Sequence, residues 1–446
     1  MNQDVFEKYS VPKAMLTLAT PTVLSMLVTI LYNMADTFFV GQTGDANQVA
    51  AVSLTTPVFL MLMAVGNIFG IGGSAYISRL LGQGEKDKTK HVSSFCCYGC
   101  IVCGLFMMGL FLLGMPTILK LIGTSSNTYG FAKDYLTCIG YGAVFVVFAN
   151  AFGNVVRGEG AAKVSMIGMM IGTIVNIVLD PIMILKMDMG VFGAALATII
   201  GNACAMVFYL IYFKKGKTIL SIKRKDFMLK DGIFAGVVSV GIPASINNIL
   251  MSVSNVVLNI FLVKYGDAQV AAMGVAQKVN ILTVLLSIGV AMGVQPLIGY
   301  YYGAKRVQDL KKTMAYAMGF NFIMGSIITV LYVMNSQVIV SAFIKSQEVL
   351  PYGVQMLRAL MVSAPVLGIM FVFNFTFQAM GKPKQSLILS LGRQGLFFLP
   401  VLLIADRMIG LDGVVYAQPI ADYASILISC IMFVLIKREL DQYLKD

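Results

Sequence analysis

The sequence predicts an all-α integral membrane protein with twelve transmembrane helices in two six-helix halves. The 446-residue chain is 58% hydrophobic and 12% charged, and apolar runs of spanning length recur from end to end. The chain also repeats itself. Pro21 matches Pro243, Asn33 matches Asn255, Phe39 matches Phe261 and Gly44-Asp45 matches Gly266-Asp267. After a one-residue slip Gly72 matches Gly293 and Gly82 matches Gly303; further on, Gly160 and Lys163 match Gly381 and Lys384, and Gly190 and Gly193 match Gly410 and Gly413. Finally, the basic residues sort by loop parity, as they do when alternate loops face the cytoplasm.

Span 1 covers 14–40, and because residues 1–13 are polar and the stretch after them is of full spanning length, it is expected to stay in the protein and not to act as a cleaved signal. Span 2 (50–78) opens after Gly44-Asp45 and closes at the turn LLGQGEKDK, and span 3 (92–115) follows Lys86, Lys88 and Lys90. Span 4 (134–156) ends at GNVVRGEG, span 5 (165–185) carries Asp180-Pro181, and span 6 (193–213) begins at the Gly190 and Gly193 pair. A Lys- and Arg-rich linker, 214–233, is the only sizeable polar segment, so the expected lobes are 1–213 and 234–446. The second contains spans 234–262, 271–299, 313–334, 351–378, 386–405 and 413–436.

The formal charge of +12 follows the same plan: Lys86 to Lys90, Lys214 to Lys230 and Lys305 to Lys312 all lie in even-to-odd loops. That places both termini in the cytoplasm of a multi-pass cell-membrane protein and makes the basic excess a topology signal, not a nucleic-acid footprint. No segment has room for a nucleotide-binding domain, so any energy source is a membrane gradient.

Several motifs reduce to structure. Cys97, Cys100 and Cys103, with Cys96 adjacent, have iron-sulfur spacing, but they lie in an apolar span without the fourth Cys-Pro and read as helix packing, with no metal. Gly153 to Gly160 lacks the Lys-Ser/Thr of a phosphate loop and reads as a cytoplasmic turn. His91, the only His, reads as a solvated residue, and no Ser/His/Asp or Cys/His set can be assembled, which argues against an enzyme. Gly66/Gly70, Gly168/Gly172 and Gly289/Gly293 are small-residue faces for close helix approach. The 30 Met and 28 Phe are mostly filler, with some available to line a cavity for flat or cationic ligands.

The acids inside spans differ. An ionised Asp at a helix centre costs on the order of 2.5–3.5 kcal/mol, so it normally faces the bundle interior and serves a function. Asp36 shares a helix face with Tyr32 and Asn33, Asp180 lies four residues after Asn176, and Pro181 removes the donor that the Ile177 carbonyl would otherwise meet. With a hydroxyl such as Thr198, these groups could hold a proton or a small cation such as Na+ in the first half only, because the repeat places Leu258 and Val401 opposite the two acids. The competing explanation is that each Asp merely pairs with a base; Lys278, Arg358 and Arg393 are the basic residues placed within spans, all in the second half. Asp422 in span 12 is a weaker candidate, since no comparable cluster surrounds it.

YNMADTFFVGQ (32–42), LLGQGEKDK (80–88) with its echo YYGAKR (301–306), and RGEGAAK followed by NIVLDPIMI (157–163 and 176–184) resemble the multidrug and toxic compound extrusion (MATE) family, in its bacterial DinF-like or MepA-like branch, over essentially the whole chain. The resemblance implies two six-helix lobes related by a pseudo-two-fold axis along the membrane normal, with a cleft that opens alternately to the two sides. It implies a first-lobe cation site at Asp36, Asn176, Asp180 and Thr198, with Tyr32 and Tyr135 nearby and Pro21 as a bending point of span 1. Some relatives carry second-lobe acids for sodium in spans 7 and 10; here span 7 offers Asn247, Asn248 and Asn255 and span 10 offers no acid, so the second lobe is expected to give substrate contacts, Lys278 among them.

The expected function is export of amphipathic organic cations, drugs or toxic metabolites, coupled to H+ or Na+ entry, by a monomer that meets membrane lipids and uses no cofactor. The alternative is a flippase for a lipid-linked precursor, in which Arg358, Arg393 and Lys278 would face a phosphate headgroup. A gradient-independent receptor or channel is the rival from another class.

Overall fold

A chain inside a bilayer can satisfy its backbone only within each segment or in a closed barrel, and this one does so with helices. The computed structural model describes residues 4–344 and 346–442, among which no strand occurs; the side chains of Asn33, Thr37, Ala46 and residues from 437 onward lie outside the description. Ten helices among the described residues are long and apolar enough to cross a membrane, and two bent pairs bring the spans to twelve.

In chain order the spans are Val11–Gly41, Asn47–Gly82, Lys86–Leu121, the pair Tyr129–Tyr141 and Ala143–Gly158, Ala162–Lys186, Gly190–Lys214, Ile233–Val263, Asp267–Gly303, Val307–Met334, the pair Val349–Met361 and Ala364–Ala379, Pro383–Ile409, and Leu411–Ile436. Spans 4 and 10, expected as single helices, are broken by 59° and 46°. At the first break sits Gly142, where an added Cβ would lie 2.3 Å from Ile199 Cγ1, so the bend lets span 6 press against the backbone. The repeat's turn glycines have a backbone reason as well: Gly160 and Gly381 take φ of +89° and +71°, and Gly190 and Gly410 take +51° and +62°, a region that a Cβ disfavours.

Two compact units emerge, one built on Leu24–Ser245 and the other on Phe6–Val23 with Ile246 onward. The expected halves thus exchange the leading turns of spans 1 and 7. Repeat-related glycines admit the exchanged segments. A Cβ at Gly72 would meet the Val237 carbonyl oxygen at 2.1 Å, and one at Gly293 would meet Ala19 Cα at 2.6 Å. Ser245 in span 7 also donates to the carbonyls of Ala64 (2.6 Å) and Gly241 (2.8 Å).

Two local expectations are corrected. Residues 153–158 complete the helix Ala143–Gly158, leaving only a short turn, and both Arg157 and Glu159 are buried. Glu159 ties down the linker: its carboxylate accepts from Tyr212 Oη (2.7 Å), Thr218 Oγ1 (2.7 Å) and the Ile219 amide (3.4 Å). Three polar donors suit an ionised carboxylate, yet burial dominates and pushes its pKa up to about 7. His91 is not merely solvated: it is half-buried, and its Nδ1 meets the Asp226 carbonyl oxygen at 2.7 Å. Beside it Ser93 Oγ and Ser94 Oγ donate to the carbonyls of Ser221 and Lys223, both at 2.9 Å, so the linker is laid along the start of span 3.

Candidate functional site

Three spans of the first unit, 1, 5 and 6, converge on one polar cluster. Asn176 and Asp180 stand four residues apart on span 5, one above the other on the same helix face, and Asn176 Nδ2 donates to Asp180 Oδ1 at 3.3 Å. The same amide reaches Thr198 Oγ1 of span 6 at 3.2 Å, and the Tyr32 hydroxyl of span 1 lies 3.4 Å from that oxygen. Asp180 is fully buried, and Asn176 and Thr198 are each 3% exposed, so the cluster is sealed among helices. Directly after Asp180 the helix passes into a π-helical segment, Pro181–Lys186. Proline's missing N–H interrupts the regular ladder at that point, and π-turns of this kind are frequent beside functional groups.

Asp36 completes the site one turn beyond Tyr32. It lines a 220 Å³ cavity with Tyr32, Tyr135, Ser53, Thr56, Phe59 and valines of spans 1 and 2. Tyr32 therefore belongs to both parts, facing the cavity with Asp36 and touching Thr198. Asp36 makes no hydrogen bond or ion pair to another described residue. Carboxylate, amide, phenol and hydroxyl oxygens form a hard donor set, matched to a proton or a small hard cation and not to a soft metal. Among the described residues no group of three or more His, Cys, Asp or Glu is arranged to hold a metal ion.

The structure thus brings Asp36, Asn176, Asp180, Thr198, Tyr32 and Tyr135 into one region of the first unit. The Asn33 side chain lies outside the described residues, and Pro21 falls in the part of the span 1 helix that belongs to the second unit. Asn202 escaped the sequence reading: its Nδ2 donates to the Thr198 carbonyl at 2.8 Å, and the four-residue spacing on span 6 was the available signal. In the second unit Asn247 and Asn248 are half-buried, whereas Asn255 and Lys278 are exposed, with Gln277 Nε2 donating to Asn255 Oδ1 at 3.4 Å. The expectation for Asp422 is overturned. It does sit in a dense polar cluster, paired with Arg393 at 2.8 Å and also accepting from Ser363 Oγ and Gln418 Nε2. Sequence spacing could not reveal this, because the partners come from spans 10 and 11 as well as 12.

The MatE family profile matches the chain twice, over residues 21–182 and 243–404, the first match starting at Pro21 and the second at its repeat partner Pro243. The chain belongs to the MATE family. Members of this family are membrane transporters and not enzymes. Among its relatives is the multidrug export protein MepA of Staphylococcus aureus (strain NCTC 8325 / PS 47), 34% identical over 439 residues, covering 98% of this chain and 96% of the relative. MepA of Staphylococcus saprophyticus is 33% identical over 435 residues with the same coverage. An outward-facing multidrug resistance MATE family transporter of the MOP superfamily superposes with a TM-score of 0.92 at 25% identity, covering 98% of both chains. A MATE crystal structure in a bent conformation gives 0.93 at 25% identity, covering all of this chain and 99% of the other.

Proposed function

We propose that this MATE transporter exports amphipathic organic cations from the cytoplasm, driven by entry of H+ or Na+ at the first-unit cluster. The carrying observation is the buried set of Asp180, Asn176 and Thr198 joined by the half-buried Tyr32, with Asp36 on an adjoining cavity. A carboxylate in a low-dielectric interior is stable only when neutralised, and two such groups close together cannot both stay ionised cheaply. Arrival of an ion from outside neutralises Asp36 or Asp180 and re-forms the hydrogen bonds around Thr198, favouring the state that releases substrate. Loss of the ion to the cytoplasm restores the state that loads it. Relatives named as multidrug export proteins support export of small drug-like molecules. The basic loops support a multi-pass protein of the cytoplasmic membrane with both termini inside.

The flippase alternative needs unengaged basic side chains for a phosphate headgroup. Of the three bases named for it, Arg393 is paired with Asp422 and Arg358 Nε donates to Ser336 Oγ at 2.9 Å, while Lys278 is exposed; with two of the three engaged, the exporter is favoured. The test is transport of a fluorescent organic cation into proteoliposomes under an imposed pH gradient, with and without sodium. Wild type accumulates the dye uphill and names its ion, while Asp36→Asn, equal in size but unable to exchange a charge, only equilibrates it. Undiminished uphill transport by Asp36→Asn sinks the proposal.

A further inference from the structure

The second unit contains a polar cluster that ion exchange in the first does not use. Asp422 of span 12 is 2% exposed; its Oδ1 accepts from Arg393 Nε at 2.8 Å and Gln418 Nε2 at 3.0 Å, and its Oδ2 from Ser363 Oγ at 2.7 Å. The next residue, Tyr423, donates its hydroxyl to the Val362 carbonyl at 3.0 Å. Val362 and Ser363 are the two residues at which span 10 breaks by 46°. A break in a helix leaves carbonyls without their usual partners, and here neighbouring side chains of span 12 hold both residues of the break. Arg393 comes from the π-helical turn Gly392–Leu396 of span 11, with its guanidinium 5.4 Å from the Phe371 ring centre. Three spans therefore meet on one carboxylate.

The repeat gives this cluster a counterpart. The spacing that carries Gly160 to Gly381 also carries Gly142 to Ser363, so both halves break their fourth span at the same place. The spacing that carries Gly190 to Gly410 carries Thr198 to Gln418 and Asn202 to Asp422. In the first half the break is held by Gly142 packing on Ile199, and Thr198 belongs to the coupling cluster. In the second half the equivalent positions of span 12 hold a carboxylate, neutralised by a cation that is covalently part of the chain.

We propose that Asp422 is a positioning residue for transport: with Arg393 as its built-in counter-ion, it latches the bend of span 10. A tethered guanidinium cannot leave for the solvent as a proton or sodium ion can, so the latch stays closed whatever ion drives the first lobe. The second lobe then keeps a fixed bend while ion exchange is confined to the first. This holds for H+ or Na+ coupling alike and does not depend on the substrate class.

The deciding variant is Ser363→Ala with Tyr423→Phe, which removes both holds on the break and leaves the Arg393–Asp422 pair intact. Asp422→Asn alone would strand a buried guanidinium and is expected to lose folded protein, so Arg393→Met with Asp422→Asn serves as the second variant. Spin labels are placed on the two arms of span 10, one within Val349–Met361 and one within Ala364–Ala379. Wild type gives one narrow interspin distance. Both variants are expected to show a second, straighter population, and in Ser363→Ala with Tyr423→Phe the loss of two hydrogen bonds, about 2 kcal/mol, shifts the bent-to-straight ratio roughly thirtyfold. Maximal transport rate changes while the ion concentration for half-maximal transport stays at the wild-type value. Unaltered distances in both variants overturn the latch, since a merely stabilising pair lowers the melting temperature without moving the bend. A shift of the ion midpoint in Ser363→Ala with Tyr423→Phe also overturns it, because Asp422 would then belong to the coupling site.

Discussion

Replacing Thr198 by Val tests the coupling cluster at its one shared atom. The substitution keeps the branched shape of a side chain that is 3% exposed and deletes only Oγ1, which joins Tyr32 at 3.4 Å and Asn176 at 3.2 Å. Asn176 Nδ2 then retains its 3.3 Å contact to Asp180 but loses its second acceptor, and the Tyr32 hydroxyl loses its link between spans 1 and 6. Each hydrogen bond is worth about 0.5–1.5 kcal/mol net, so the loss is about 2 kcal/mol, equivalent to roughly thirtyfold weaker ion binding. Titrating uphill dye transport in proteoliposomes against the driving ion checks this. Half-maximal activity should require roughly thirtyfold more ion, or a pH about 1.5 units lower if the ion is H+, with maximal rate recovered at saturation. An unchanged midpoint, in a variant that melts like wild type, would refute the placement of Thr198 in the ion site and with it the argument that Tyr32, Asn176 and Asp180 act together.

Other outcomes follow from packing and charge. Gly241→Leu should abolish folded protein in detergent, because its Cβ would meet the Ile68 carbonyl oxygen at 2.0 Å and backbone cannot retreat, whereas Gly274→Leu, with no atom within 4 Å, should elute and melt as wild type by fluorescence-detected size exclusion. Gly201→Val should lower the melting temperature and weaken ion dependence together, since its Cβ would lie 2.5 Å from the Gly172 carbonyl oxygen and 3.3 Å from Asn176 Cβ. Because burial raises the Glu159 pKa from 4.5 to about 7, its contribution to linker docking is complete below about pH 4.5 and declines as pH rises through about 7. Amide exchange of residues 218–223 should quicken over that window, and Glu159→Gln should flatten the profile; equal pH slopes in both proteins would exclude Glu159 as the cause.

Much of the architecture was legible because its determinants are local or periodic. Apolar runs longer than a bilayer's core must become helices, basic loops bias their side, and turn glycines such as Gly160 and Gly381 mark where the chain reverses. Asn176 and Asp180 could be joined on paper, since a four-residue spacing places side chains on one helix face. Thr198 was reached by family resemblance and by its hydroxyl chemistry, but which atoms it touches depends on how spans 1, 5 and 6 pack.

By itself, then, the sequence determined an all-helical membrane protein of two related halves, with unmatched acids at Asp36 and Asp180. Only the tertiary structure decided that spans 4 and 10 bend, that the leading turns of spans 1 and 7 are exchanged, and that Asp422 is gripped by Arg393, Gln418 and Ser363. The physical reason is range. Helical periodicity acts over three or four residues and can be read along the chain, whereas an ion pair between residues 393 and 422, or a glycine at 72 admitting the backbone of 237, exists only once distant segments pack.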